Sequence, residues 1–196
     1  ELAARGLEIA SGRVTLVARD RKVRFEVNLR AAHDAIKAAT DVIVQFSSGG
    51  AVTDTEDDRI APLELQPEMA TLTTGSVNFG SEVFLNPMPL VTRFYERMRN
   101  LGITPEFEIF EAGMIANAES VYAEHGGDHH RHYDLVLGVP GAMPAWADAV
   151  DFLSEALPPG STWSATAFSI SQNESWVPTQ RSRTPMAMAF RTAGSK

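Results

Sequence analysis

The chain contains no cysteine. Disulfides and thiolate metal sites are therefore excluded, and the composition leans toward a reducing compartment. Basic residues are few, 17 Lys and Arg against 25 Asp and Glu, for a formal net charge of -8. That balance argues against nucleic acid as a partner, because neutralising phosphates needs clustered positive charge. No apolar run approaches the roughly 20 residues of a membrane-spanning helix. The start, Glu1-Leu2-Ala3-Ala4-Arg5, has no signal-peptide layout. The expectation is a cytoplasmic protein with no membrane partner. The start also lacks Met and reads as mid-helix, which predicts a chain that begins inside a larger domain. Glycine-rich dinucleotide fingerprints, Walker loops and G-x-S-x-G elbows are missing as well. What remains is a 196-residue chain, 44% hydrophobic and 21% charged, as expected of a single globular domain with a real core.

The chain has a rhythm. Short apolar runs end in small or polar residues, and helix-like stretches follow. The runs are Asp41 to Phe46 before Ser47-Ser48-Gly49-Gly50, Pro67 to Leu72 before Thr73-Thr74-Gly75-Ser76, Glu106 to Phe110 before Glu111-Ala112-Gly113, Tyr133 to Val139 around Gly138, and Thr162 to Phe168. Val42-Ile43-Val44 has no polar alternation and reads as a fully buried strand. Val14 to Ala18 reads as an earlier strand, residues 1–10 as a helix tail and Arg19 to Val27 as irregular. Helical spacing appears over Leu29 to Ala39, Leu90 to Leu101 with Gly102 as its cap, Gly113 to Tyr122, and Ala145 to Leu157 with Trp146, Val150, Leu153 and Leu157 inward. Residues 169–196 form an irregular tail, with a helical turn or two over Pro185 to Phe190. The sum is about six βα units of roughly 25–30 residues. A closed (β/α)₈ barrel takes eight units and about 250 residues, and an open doubly wound sheet suits the length better.

Parallel strands deliver side chains and amides to one rim, where ligands bind. Ser47, Ser48, Gly49 and Gly50 supply hydroxyls and glycine amides suited to a carboxylate or phosphate, or simply form a βα turn. Thr73, Thr74, Gly75, Ser76 and Asn78 repeat that chemistry at the next strand end. Glu106 and Glu108 share one face by period 2, and Glu111 lies at or past the strand end. An inward carboxylate there orients a cationic group or acts as a base, and the alternative is a solvated charge. His125, His129, His130 and His132 with Asp128 resemble a metal cluster in number, yet they precede a strand, at the rim where a barrel does not place catalysis. They read as surface histidines, and His33 as a surface or interface residue.

The ordered strand-end motifs, Ser47-Ser48-Gly49-Gly50, the stretch from Pro67 to Gly80, Glu108 to Met114 and Asp134 to Pro144, resemble the β-keto acid cleavage enzymes, of which 3-keto-5-aminohexanoate cleavage enzyme is the type. The likeness covers about residues 29–168. It implies an α/β (β/α)₈ TIM barrel, here an incomplete one forming a single partial domain over residues 1–196. It implies transferase chemistry of amino acid metabolism: a β-keto acid and acetyl-CoA give acetoacetyl-CoA and a new acyl-CoA, with zinc as cofactor and acetyl-CoA as co-substrate. It implies substrate-binding roles for Ser48 and Thr73 at the keto acid carboxylate, for Gly75 and Ser76 in shaping the loop, and for Glu108 or Glu111 as an acidic substrate contact. It also implies a homo-oligomer.

The resemblance has departures. The family's His-x-His-Ala-Arg-Asp strand reads Thr15-Leu16-Val17-Ala18-Arg19-Asp20 here, so Thr15 and Val17 occupy the positions of two zinc ligands. The family's first strand and its Arg-Val-Gly-Leu-Glu-Asp last strand have no counterpart in these residues. A second expectation therefore stands beside the first: a catalytically inactive, truncated barrel that binds a small carboxylate or serves as a partner subunit. Unpaired strand edges in such a barrel would favour self-association or marginal stability.

Overall fold

Helical periodicity and helix caps set the helices, and alternating apolar positions set the later strands. The computed structural model describes residues 9–10, 13–14, 23–126, 129–168 and 191–192. In chain order the elements are β1 (Ile9–Ala10), β2 (Arg13–Val14), α1 (Val23–Ala39), β3 (Gln45–Phe46), α2 (Glu56–Ile60), a 3-10 helix (Ala61–Leu65), β4 (Met69–Thr73), β5 (Val77–Phe79), β6 (Glu82–Phe84), α3 (Met88–Leu101), β7 (Thr104–Ile109), α4 (Gly113–Glu124), β8 (His132–Leu137), α5 (Ala147–Ala156), β9 (Thr162–Ala167) and β10 (Arg191–Thr192). The chain divides into two units, Glu1–Leu72 with Arg93–Pro105, and Thr73–Thr92 with Glu106–Lys196.

In the first unit, α1 carries Leu29, Ala32 and Ile36 at i, i+3 and i+7 spacing, which lines them along one face. Leu29 packs with Val44 and Phe46, flanked by Ile36 and Leu65. β3 pairs in parallel with β4, Gln45 opposite Met69 and Phe46 opposite Ala70. Thr55 caps α2, its Oγ1 accepting from the Asp58 amide at 3.2 Å. The acids Glu56, Asp57 and Asp58 fill the first turn, where the helix dipole favours them. Arg93 pairs with Glu56 and Asp57, and Arg97 pairs with Glu64. These exposed pairs contribute little each.

Three expectations are corrected in this unit. Ile9–Ala10 is a strand, paired antiparallel with β2, and not a helix tail. Helix α1 starts at Val23, inside the stretch read as irregular. Strand β3 is only Gln45–Phe46, and Val42 and Ile43 are 44% and 61% exposed. Val44 alone of the apolar triplet is buried, so absence of alternation did not signify burial on both faces.

In the second unit, β7, β8 and β9 are parallel, with Glu108 opposite Asp134 and Asp134 opposite Ser164; β10 joins β9 antiparallel. The pleat divides these strands by parity. Phe107, Ile109, Tyr133, Leu135 and Leu137 are buried on one face. Met114, Ala118 and Val121 of α4 and Leu153 of α5 are buried as well. By the same register Glu106, Glu108, His132, Asp134, Thr162, Ser164 and Thr166 share the other face. A hairpin, β5 and β6, turns at Gly80 (φ 66). Gly80 N–H donates to the Pro140 carbonyl at 3.0 Å. Gly138 has φ 82, and a Cβ there would lie 2.2 Å from the Phe168 carbonyl oxygen, so only glycine fits. Trp146 was expected inward but is 67% exposed. It is the extended residue that precedes α5 and so lies off the helical face that buries Leu153.

Candidate functional site

Two strand-end loops carry the residues singled out above, one in each unit. In the first unit, Ser48 is buried. Its amide donates to Thr71 Oγ1 at 3.1 Å and its hydroxyl donates to the Thr71 carbonyl at 2.5 Å. The Ser48 carbonyl accepts from Arg59 Nε at 3.1 Å. Arg59 is buried, with its guanidinium carbon 5.4 Å from the Phe94 ring centroid. Gly49 N–H donates to Ser47 Oγ at 3.1 Å, and Ala51 N–H donates to Asp54 Oδ2 at 2.8 Å. This loop is thus wired mainly to itself and to its neighbouring strand.

In the second unit, Thr73 Oγ1 donates to Glu108 Oε2 at 2.5 Å. Thr73 is buried and Glu108 partly exposed, so the carboxylate lies where a ligand can reach it. Thr74 locks the backbone beneath. Its hydroxyl donates to the Met114 carbonyl at 2.9 Å, and its own carbonyl accepts from Asn117 Nδ2 at 2.8 Å. Gly75 sits tightly against Met114, since a Cβ there would lie 3.1 Å from Met114 Cγ and that side chain would have to give. Ser76 Oγ accepts from the Asn86 amide at 2.8 Å, tying the hairpin's two flanks together. Glu111 is exposed beyond the end of β7 and just before α4. Of the two acids, the structure joins Glu108 to Thr73 and leaves Glu111 at the edge.

The sequence reading missed Asp134. It is 1% exposed and accepts from Ser164 Oγ at 3.0 Å and from Thr166 Oγ1 at 3.1 and 2.9 Å. The signal was present as parity: His132 and Asp134 of β8 and Thr162, Ser164 and Thr166 of β9 are in step with Glu106 and Glu108. Arg59 and Thr71 were missed as well, because their role is to support a loop from another element.

The histidines lie at the other end of β8. His130 Nε2 and His132 Nδ1 approach Thr162 Oγ1 at 2.9 and 2.8 Å, and His132 Nε2 lies 3.5 Å from Glu106 Oε1. His125 follows α4, and Asp128 lies outside the described residues. His33 meets the Phe46 ring edge-on at 5.9 Å. Nearby, Tyr133 donates to Glu119, which also pairs with Arg131 at 2.5 Å. Burial first, then the hydrogen bond to the Glu119 carboxylate, pushes the Tyr133 phenol far above its usual range. Tyr133 is therefore a permanent donor.

Thr15 and Val17 lie outside the described residues. A valine side chain has no donor atom, and a threonine hydroxyl is a poor substitute for imidazole at zinc. Among the described residues no group of three or more His, Asp or Glu is arranged to hold a metal ion. Among the described residues the donor set does not fit a three-ligand zinc. No helix among the described residues is long and apolar enough to cross a membrane.

Residues 18–179 match the family described as BKACE, beta-keto acid cleavage enzyme. The chain is similar to a 3-keto-5-aminohexanoate cleavage enzyme of Fusobacterium nucleatum, 44% identical over 124 residues, covering 63% of this chain and 45% of that one. It is also similar to a 3-oxoadipate:acetyl-CoA acetyltransferase of Cupriavidus necator, 35% identical over 130 residues, covering 65% and 45%. The chain spans about half the length of the curated relatives it matches. Among solved structures, the apo structure of ObcA superposes with a TM-score of 0.51 at 22% identity, over 64% of this chain and 28% of that one, a likeness of fold alone. The parallel strands with helices between them are those of the (β/α)₈-barrel class. The chain belongs to the beta-keto acid cleavage enzyme family.

Proposed function

We propose that this chain binds a small β-keto acid and, with acetyl-CoA as co-substrate, supports its cleavage to acetoacetate and a new acyl-CoA. Acetyl-CoA brings a single CoA, which leaves on the acyl-CoA, so the second product is free acetoacetate rather than its thioester. The observation that carries the reading is the Thr73–Glu108 pair at adjoining strand ends. Glu108 is the acidic substrate contact. Thr73 fixes its carboxylate, and Thr74, Gly75 and Ser76 hold the loop that presents both. Glu111 is a rim contact, and Ser48, buried with its hydroxyl donated to the Thr71 carbonyl, braces the loop of the first unit. A self-associating, cytoplasmic protein belongs to the same proposal.

Glu106, Glu108 and Asp134 put three acids on one sheet face. That favours a keto acid with a cationic group over one with a second carboxylate. Of the two substrates named for the relatives, 3-keto-5-aminohexanoate fits this charge better than 3-oxoadipate. Zinc, when bound in the family, polarises the keto oxygen. The described residues of this chain do not supply the three ligands such a zinc needs. Val17, which cannot ligate a metal, favours a second reading: keto acid binding without turnover.

The test is to incubate the chain with acetyl-CoA and each of the two keto acids, following acetoacetate and the new acyl-CoA by mass spectrometry. Calorimetric titration with acetoacetate runs in parallel. Product from the amino-keto acid supports cleavage. Binding without product leaves the second reading, and neither overturns both.

A further inference from the structure

Asp134 lies opposite Glu108 in the β7–β8 register, on the same face of the sheet. Its carboxylate is buried and accepts from two hydroxyls, Ser164 and Thr166. A hydroxyl has one proton and two lone pairs, and a carboxylate only accepts. The Thr166 proton is therefore directed at Asp134, shared between Oδ1 and Oδ2. Thr166 is itself partly exposed, so what its oxygen offers outward is lone pairs. Thr73 is under the same constraint through Glu108.

We propose that Asp134 is a positioning residue that holds Thr166 as an acceptor-only group, making this face select ligands that carry an N–H donor over ligands that end in a carboxylate. Asp134 itself touches no ligand; it acts through Thr166. The inference rests on the reading of this face as the keto acid site.

Two probes of equal length separate the effects: 5-aminopentanoate and pentanedioate share one carboxylate and differ at the other end. Calorimetric titration of the whole chain gives the ratio of their dissociation constants. The wild type is expected to favour 5-aminopentanoate. Asp134→Ala releases the Thr166 proton, so that hydroxyl can donate outward, and the preference is expected to fall about tenfold, the scale of one hydrogen bond to a charged group. Thr166→Val is expected to give a similar fall, and Thr166→Ser to restore the wild-type ratio. If Asp134→Ala does not fold, the Thr166 pair decides. A ratio unchanged in the folded variants overturns the inference and leaves the keto acid reading standing. A wild type that binds neither probe overturns that reading and this inference with it.

Discussion

The two strand-end loops, Ser47 to Gly50 and Thr73 to Ser76, look alike in sequence but are wired differently. In both, a hydroxyl at the strand end gives its proton to another group of the protein. Ser48 gives it to a backbone carbonyl, Thr73 to a carboxylate. The first bond orders a loop and leaves no charge in play. The second fixes a negative charge at a partly exposed position. Composition of a loop therefore says less about its chemistry than the acceptor its hydroxyls find. The Thr73 loop is a candidate for reading a ligand, and the Ser48 loop, braced by Thr71 and Arg59, is first of all a built piece of scaffold.

The largest expected effect is at Glu108. Glu108→Gln keeps the shape and removes the charge, and should lower kcat/KM about 100-fold for a keto acid bearing a cationic group, or about 2.7 kcal/mol. Its melting temperature should change little. An equal loss for a dicarboxylate keto acid would break the comparison, since charge reading would not then explain it. Next is Arg59→Met, which removes a buried hydrogen bond to the Ser48 carbonyl and the contact over Phe94. It should cost about 2 kcal/mol in urea unfolding, while Thr73→Ser should cost under about 1 kcal/mol because the hydroxyl survives. Ser48→Ala is smaller, about 1 kcal/mol of stability. A Ser48→Ala variant that lost ligand binding at unchanged stability would promote that loop from scaffold to contact.

The smallest effect is in acid. Burial opposes ionisation of Glu68, yet the Lys37 ammonium and the backbone amides outweigh it, so its pKa lies below the usual 4.5. A lowered carboxylate pKa stabilises the fold above the unfolded value. That gain disappears as pH falls through the folded value. Glu68→Gln should flatten the loss of stability below about pH 4.5, without altering stability differences between pH 6 and 8.

Much of this was legible in the sequence, and the reasons for success and failure are physical. Helix α3 was plain because Leu90, Phe94 and Met98 repeat at helical spacing and Gly102 ends them at φ 72. The shared face of Glu106 and Glu108 followed from the pleat alone. The Val42-Ile43-Val44 run misled because apolar character does not say whether a neighbouring strand or helix covers it. The hairpin was missed though Gly80-Ser81 separates two short runs with the spacing of a tight turn. Asp134 was missed because its meaning lies on β9, in Ser164 and Thr166, some thirty residues away in the chain. Choosing Glu108 over Glu111 needed the bond to Thr73, which no spacing rule supplies.

The most direct test of the account is the dependence of keto acid handling on Glu108. The chain and its Glu108→Gln variant are mixed with acetyl-CoA and 3-keto-5-aminohexanoate, and acetoacetate and the new acyl-CoA are followed over time. The account predicts that product forms with the wild type and slows about 100-fold in the variant. Product formed at equal rates by both would contradict it.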